Sequence, residues 1–277
     1  MFKKNNNKII VLGKNGFLAS SIISELKLNG FRFKSFSKKQ LNLLSINNLK
    51  LLENVIKKDD ILLFCSAIAP VKNFKMFFQN LKMSENFLKI KNLKKLAAIC
   101  YLSSDAVFSD TNLKIKENSP KEPNNLHGIM HLTREKLFKL AHKKVFCIRP
   151  TLVYGKNDPH CGYGPNKFLR DAMNKKQIKI FGNGEELRDH IYVKDVAQLF
   201  TKILKKNIFE DFNFVTSKEK TFLNIAKDIK NKFKNIKIIK IARNTPMPHN
   251  GYRVFDNKKL KKLKFKATEF KEFLKKI

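Results

Sequence analysis

The run Ile9-Ile10-Val11-Leu12 leads into Gly13-Lys14-Asn15-Gly16-Phe17-Leu18-Ala19-Ser20, and this junction restricts the fold more than any other stretch. Four apolar residues predict a buried strand, and small and apolar residues at helical spacing follow. Gly13 permits a sharp turn. Gly16 lets the backbone approach a ligand because no Cβ stands in the way, and Ala19 allows close packing of helix on strand. The first N–H groups of such a helix would face outward, ready for a pyrophosphate. Taken alone, the spacing also describes a glycine turn without a ligand.

The rest of the chain repeats strand and helix. Ser20 to Asn29 reads as an amphipathic helix stopped by Gly30, and Phe31 to Phe36 as the second strand. Further strands are expected over Ile61 to Ala67, Leu96 to Leu102, Val145 to Val153, Ile178 to Phe181, Asn213 to Val215 and Ile236 to Ile241. Helices are expected over Phe74 to Ile90, from about His127 to Ala141, over Phe168 to Lys176, over Thr221 to Lys232, and across most of the segment from Phe255 onward. Crossover-length spacing of this kind predicts an α/β fold with a doubly wound parallel sheet.

Fifty-eight basic residues against 23 acidic ones give a formal charge of +35. That balance suits a polyanion partner. The lysines are spread along the whole chain, however, which favours a solvated surface over a specific nucleic-acid groove. No apolar run reaches the roughly 20 residues that span a bilayer, so no membrane partner is expected. The first apolar stretch is the glycine-loop strand itself, so no leader is read there and the chain is expected to be cytoplasmic. Cys65, Cys100, Cys147 and Cys161 lack paired metal spacing, and the first three, in apolar runs, read as buried reduced thiols.

Several residues stand where open parallel sheets bind ligands. The second strand ends in Ser37-Lys38-Lys39, with no acid to read an adenosine ribose, which tilts the expectation from NAD towards NADP. Ser103-Ser104-Asp105 closes another strand, where the serines could instead act as caps. His127 and His131 are four apart and so share one helix face.

The ordered set of Gly13-x-x-Gly16-Phe17, Ser103-Ser104-Asp105-Ala106-Val107-Phe108, Arg149-Pro150-Thr151-Leu152-Val153-Tyr154-Gly155, Gly182-Asn183-Gly184, Arg188-Asp189 and Tyr192-Val193-x-Asp195-Val196-Ala197 resembles the extended short-chain dehydrogenase/reductase family. More narrowly it resembles the NAD-dependent epimerase/dehydratase group that acts on nucleotide sugars. The resemblance implies a Rossmann domain over 1–158 plus 192–216 and a smaller substrate-binding region over 159–191 plus 217–277. It implies NAD or NADP contacts at Gly13, Asn15, Gly16, Phe17, Ser37, Lys38, Ala67 and Asn80. It places Arg188 on a substrate diphosphate, with a salt bridge as the plainer role, and Tyr163, Asn166 and Arg253 on the substrate side. A homodimer is a further expectation.

Members of that family usually carry Tyr-x-x-x-Lys on a helix, assisted by Ser or Thr at the strand end. The serine matches Ser104, followed by Asp105. The helix here reads His127-Gly128-Ile129-Met130-His131, with Glu135 at the usual downstream spacing, so histidine stands at both positions. Three readings follow. In the first, His127 replaces tyrosine as general acid and base, with His131 bonding the cofactor ribose. Alternatively, the fold and its binding persist with catalysis weakened or lost, leaving a binding or scaffold protein. A zinc pair is the third, although no third ligand is evident.

Overall fold

The computed structural model describes residues 7–160 and 162–277. Cys161 therefore lies outside the described residues. In chain order the elements are β1 (Ile9–Leu12), α1 (Phe17–Leu28), β2 (Phe33–Phe36), α2 (Leu49–Val55), β3 (Ile61–Phe64), α3 (Phe74–Leu88), β4 (Ala98–Leu102), α4 (Leu126–Ala141) and β5 (Val145–Pro150). They continue through β6 (Leu152–Tyr154), α5 (Pro165–Met173), β7 (Ile178–Phe181), β8 (Leu187–Arg188), β9 (His190–Tyr192), α6 (Val193–Lys206), β10 (Phe212–Phe214) and β11 (Lys220–Thr221). The last are α7 (Phe222–Lys232), β12 (Ile238–Ile241), β13 (Tyr252–Arg253), α8 (Lys258–Lys262) and α9 (Phe270–Lys275).

Two compact units emerge. The first comprises the chain up to Ser109, Glu117–Pro150 and Val196–Asn213. Its sheet has the order β10-β5-β4-β3-β1-β2. The pairs β1–β2, β1–β3, β3–β4 and β4–β5 are parallel. The chain runs outward from β1 to β2, then returns to the other flank of β1 as β3. Such a reversal opens a crevice at the carboxyl ends of β1 and β3. Strands buried along their whole length explain the unbroken apolar runs Ile9–Leu12 and Ile61–Phe64. Phe64, Phe87, Tyr101 and Phe138 pack at centroid distances of 5.0–6.1 Å, edge to face except for the tilted Phe64–Phe138 pair.

The second unit comprises Asp110–Lys116, Thr151–Asp195 and Phe214–Ile277. It holds three small sheets, β11-β8-β13, β12-β7 and β6-β9. Tyr154, Phe168, Phe222, Ile225, Phe270 and Phe273 are among its buried core.

Four expectations need correction. The first helix begins at Phe17 and not at Ser20, because Gly16 is already the extended N-cap, at φ −70° and ψ 150°. A short helix, α2, lies within 37–60, where no element was expected. The strand expected over Val145 to Val153 is two: Pro150 donates no N–H, Thr151 Oγ1 donates to the Asp189 carbonyl at 3.0 Å, and the chain continues as β6 against β9. The end of the chain is only partly helical. Lys264, at φ 51°, ends α8, and Asp195 then holds Thr268 in extended chain by accepting from its N–H at 2.7 Å and its hydroxyl at 2.8 Å.

Candidate functional site

The crevice is shaped by backbone that tolerates no side chain. Gly13 has φ +94°, and a Cβ there would stand 3.0 Å from Ser66 Oγ, just beyond β3. Gly16 N–H donates to the Gly13 carbonyl at 2.9 Å, which closes the turn. No side chain caps the start of α1. The first N–H groups of this 12-residue helix are thus left to an exogenous acceptor, and a pyrophosphate fits that donor set. Asn15 and Gly16 are exposed beside them.

Around this turn the other expected cofactor residues take distinct roles. Ser37 is buried, and its N–H and hydroxyl both donate to Gln40 Oε1 at 3.1 Å. Lys38 and Ala67 are exposed. Asn80 is fully buried; its amide donates to the Ile68 and Met76 carbonyls and accepts from the Ile68 N–H. Both amide protons are taken, so in this chain Asn80 shapes the loop after β3.

The helix that bears the histidines is set by Asn125, whose side chain caps the Gly128 N–H at 2.9 Å. Gly128 is required here. A Cβ would fall 2.1 Å from the Ala106 carbonyl oxygen and 2.6 Å from Pro123 Cβ. The first turn of α4 therefore lies directly on the Asp105–Val107 turn that follows Ser104. Ser104 Oγ accepts from the Ala106 N–H at 3.2 Å and lies 3.4 Å from Asp105 Oδ1. Ser104 is thus a cap as well as a candidate contact.

His127 and His131 do share a face. Their rings meet edge to face with centroids 4.6 Å apart. His127 is half-buried, and its Nδ1 lies 3.4 Å from the Val71 N–H. His131 is buried, with Nδ1 2.6 Å from the Tyr101 hydroxyl. Burial first, and then the nearby His127 and Arg134, hold its pKa well below the usual 6.5. A neutral imidazole therefore stands where the resemblance places a cation.

Tyr101 and Arg134 went unseen in the sequence. Arg134 is buried one turn beyond His131, donates to the Ser66 and Asn80 carbonyls, and lies over the Phe64 ring at 5.3 Å. A second buried network lies behind it. Glu135 accepts two hydrogen bonds from Arg149, both at 2.7 Å, and one from Ser103 Oγ at 2.7 Å, while Arg149 also reaches Asp211 at 2.8 Å. Glu135, Cys147 and Asp211 come within 4.8 Å of one another. The Arg149 guanidinium already supplies the cation there, and burial pushes the Cys147 thiol well up, so these residues do not fit a metal.

The substrate-side candidates all belong to the second unit. Arg188 is half-buried on β8. Tyr163 packs among Phe168, Phe181 and Phe222, and its hydroxyl accepts from the Phe181 N–H. Asn166 donates to the Val153 carbonyl and Asp158 and accepts from the Gly155 N–H. Arg253 is buried, 3.4 Å from Asp110. The polar groups of Tyr163 and Asn166 are thus engaged within the unit's own fold.

Asp189 clamps the chain after β10, accepting from the Thr216 N–H and hydroxyl and the Ser217 N–H. Burial nevertheless raises its pKa to about 6. Beside it His190 is 6% exposed and lines a cavity of about 80 Å³ with Thr216, Lys220 and Phe270. Neither ring nitrogen has a hydrogen bond of good geometry. Burial and Arg188 lower its pKa to about 3, with only the Arg188 backbone acting the other way. The histidine binds a proton when unfolded but not when folded, so stability falls as pH drops below 6.5 towards 3. Asp189, raised above 3.8, slopes the opposite way up to pH 6. Comparing His190→Phe with the parent isolates the histidine. The variant's advantage in urea unfolding is expected to grow by about 1.4 kcal/mol per pH unit below neutrality, and a pH-independent difference would exclude this role.

A family model described as the NAD-dependent epimerase/dehydratase family matches residues 9–214. The chain is 29% identical over 258 residues to dTDP-D-glucose 4,6-dehydratase of Dictyostelium discoideum, covering 83% of this chain and 57% of that one. It therefore spans little more than half the length of that relative. Among solved structures, UDP-N-acetylglucosamine 4-epimerase from Methanobrevibacter ruminantium in complex with UDP-N-acetylmuramic acid superposes with a TM-score of 0.80 at 19% identity, covering 97% of each chain. UDP-glucuronic acid 4-epimerase from Bacillus cereus in complex with UDP-glucuronic acid and NAD gives 0.79 at 19% identity, covering 97% of this chain and 96% of that one. At that identity the superpositions establish the fold, a mixed α/β Rossmann architecture.

Proposed function

Because the chain belongs to the NAD-dependent epimerase/dehydratase family, we propose that it binds a nicotinamide dinucleotide at the β1–α1 turn and transforms a nucleotide-linked sugar as an epimerase, dehydratase or reductase. The observation that carries this reading is the uncapped α1 N-terminus behind a glycine turn in which Gly13 leaves no room for a Cβ. The first unit is read as the dinucleotide-binding domain and the second as the substrate-binding region.

When bound, the dinucleotide supplies an acceptor and donor of hydride. With the Gly13 and Gly16 N–H groups closing the turn on the Phe36 and Gly13 carbonyls, the N–H groups of Asn15 and Phe17 would hold the pyrophosphate, and Ala67 would line the crevice. Lys38, exposed and without an acid beside it, favours NADP over NAD. Ser104 holds the reacting sugar oxygen and Asp105 orients its neighbours. His127 takes and returns the hydroxyl proton, which an imidazole can do near neutrality without a cation. In the second unit, Arg188 would grip a diphosphate through a bidentate fork.

Phe74 and Phe78 on α3 and Ile129 on α4 are exposed, which supports a homodimer through these helices. Cys65, Cys100 and Cys147 are unpaired thiols, which suits the cytoplasm. No helix among the described residues is long and apolar enough to cross a membrane.

A second reading, a coenzyme-binding protein with little turnover and a scaffold or polyanion-binding role, is favoured by the neutral imidazole at 131. One experiment separates the two. Calorimetric titration with NAD, NADP and their reduced forms is paired with mass spectrometry of UDP-glucose and dTDP-glucose incubated with the holoprotein. Coenzyme binding with a changed sugar supports the enzyme. Coenzyme binding alone supports the second reading. No heat with any coenzyme, alongside salt-sensitive RNA binding, overturns both the coenzyme site and the enzyme.

A further inference from the structure

Arg134 and His131 on α4 and Tyr101 on β4 are all buried, and the Tyr101 hydroxyl meets His131 in a short hydrogen bond. Three constraints fix its proton order. A guanidinium can only donate, so Arg134, which donates to the carbonyls of Ser66 and Asn80, offers the Tyr101 phenol no acceptor. The phenol stays protonated, because desolvation raises its pKa and Arg134 only partly counters the rise. Its proton then needs an acceptor, and among the described residues His131 Nδ1, at 2.6 Å, is the acceptor the phenol meets. A neutral imidazole that accepts at Nδ1 must carry its own proton at Nε2.

We propose that Tyr101 is the positioning residue of the histidine pair. Its hydroxyl donates to Nδ1 and locks His131 as the neutral Nε2–H tautomer, a fixed hydrogen-bond donor beside His127. Arg134 keeps the positive charge of this region one turn further along the helix. Two residues thus divide the work of one lysine: the imidazole provides a directed donor and the guanidinium provides the charge. Tyr101 also packs against Phe138 and Phe64 at 5.2 and 6.1 Å, so the ring that aims His131 is itself held by the core.

The inference rests on reading α4 as the helix that serves the reaction, but its first readout does not depend on turnover. Nitrogen-15 NMR of the imidazoles, with the His131 resonances identified through His131→Gln, is expected to show a protonated Nε2 and a hydrogen-bonded, unprotonated Nδ1. In Tyr101→Phe, which keeps the ring and its packing, that signature is expected to collapse into a mixture of tautomers. Turnover on the accepted nucleotide sugar should fall about tenfold, with the substrate KM little changed. A parent spectrum showing Nδ1–H overturns the proposal, and does so even if the variant fails to fold. So does a His131 spectrum that is the same in Tyr101→Phe. If the tautomer is as expected but no nucleotide sugar is turned over by the parent, the enzymatic reading fails while the positioning role stands.

Discussion

Replacing Arg149 with methionine is expected to cost about 3–5 kcal/mol of folding stability and to lower the melting temperature by roughly 6–15 °C. Arg149 is fully buried and holds Glu135 through two hydrogen bonds, with Asp211 as a second acceptor. Methionine fills a similar volume but leaves Glu135 buried without a cation, while Asp211 retains only Lys139, at 2.7 Å. Glu135 also accepts from Ser103 Oγ, immediately before Ser104. The loss should therefore loosen the strand end beside the histidine helix as well as the core. Calorimetric unfolding checks this, and a variant within about 1 kcal/mol of the parent would mean that the carboxylates find other partners. Removing both carboxylates together with Arg149, in favour of apolar residues, should restore much of the stability, because a buried ion pair is weak as a net contributor even when breaking it is costly.

His127→Ala is expected to lower turnover by about 10²–10⁴-fold, the range for a lost general acid or base, while the coenzyme binds within about threefold of the parent. The reasoning runs through His131. Burial keeps that imidazole neutral, and Tyr101 occupies its Nδ1. Of the two rings, only His127 is open enough to exchange a proton with a substrate. Following nicotinamide absorbance under single-turnover conditions separates the chemistry from product release. Unchanged turnover would remove His127 from the reaction and move attention to Asp105.

Much of the first unit was legible because parallel strands buried on both faces leave continuous apolar runs, as in Ile61–Phe64, and because glycine is needed where Gly13 turns at positive φ. The pairing of His127 with His131 was legible from helical spacing alone. Their environment was not. That His131 is sealed under Tyr101 depends on β4 lying against α4, a contact between residues 30 apart. A tyrosine in an otherwise apolar strand, two residues before Ser103, was the available clue. Arg134, three residues after His131, shares its face and looked like any surface cation in a chain so rich in lysine and arginine. The substrate-side candidates were harder still: Tyr163 and Asn166 are polar residues in an irregular stretch, yet each closes hydrogen bonds local to its own unit. Likewise the break at Thr151 had only Pro150 as its mark in the sequence, because the Asp189 carbonyl that holds Thr151 is distant along the chain.

The missing side chain at Gly128 has a mechanical consequence. With the Ala106 oxygen seated where a methyl would project, the histidine helix is keyed like a shaft in a slot: turning it by one residue would drive Ile129 or His127 into the backbone opposite. The azimuth of both imidazoles is therefore set by a notch within the helix, and the length of the loop leading into it can drift without swinging them away.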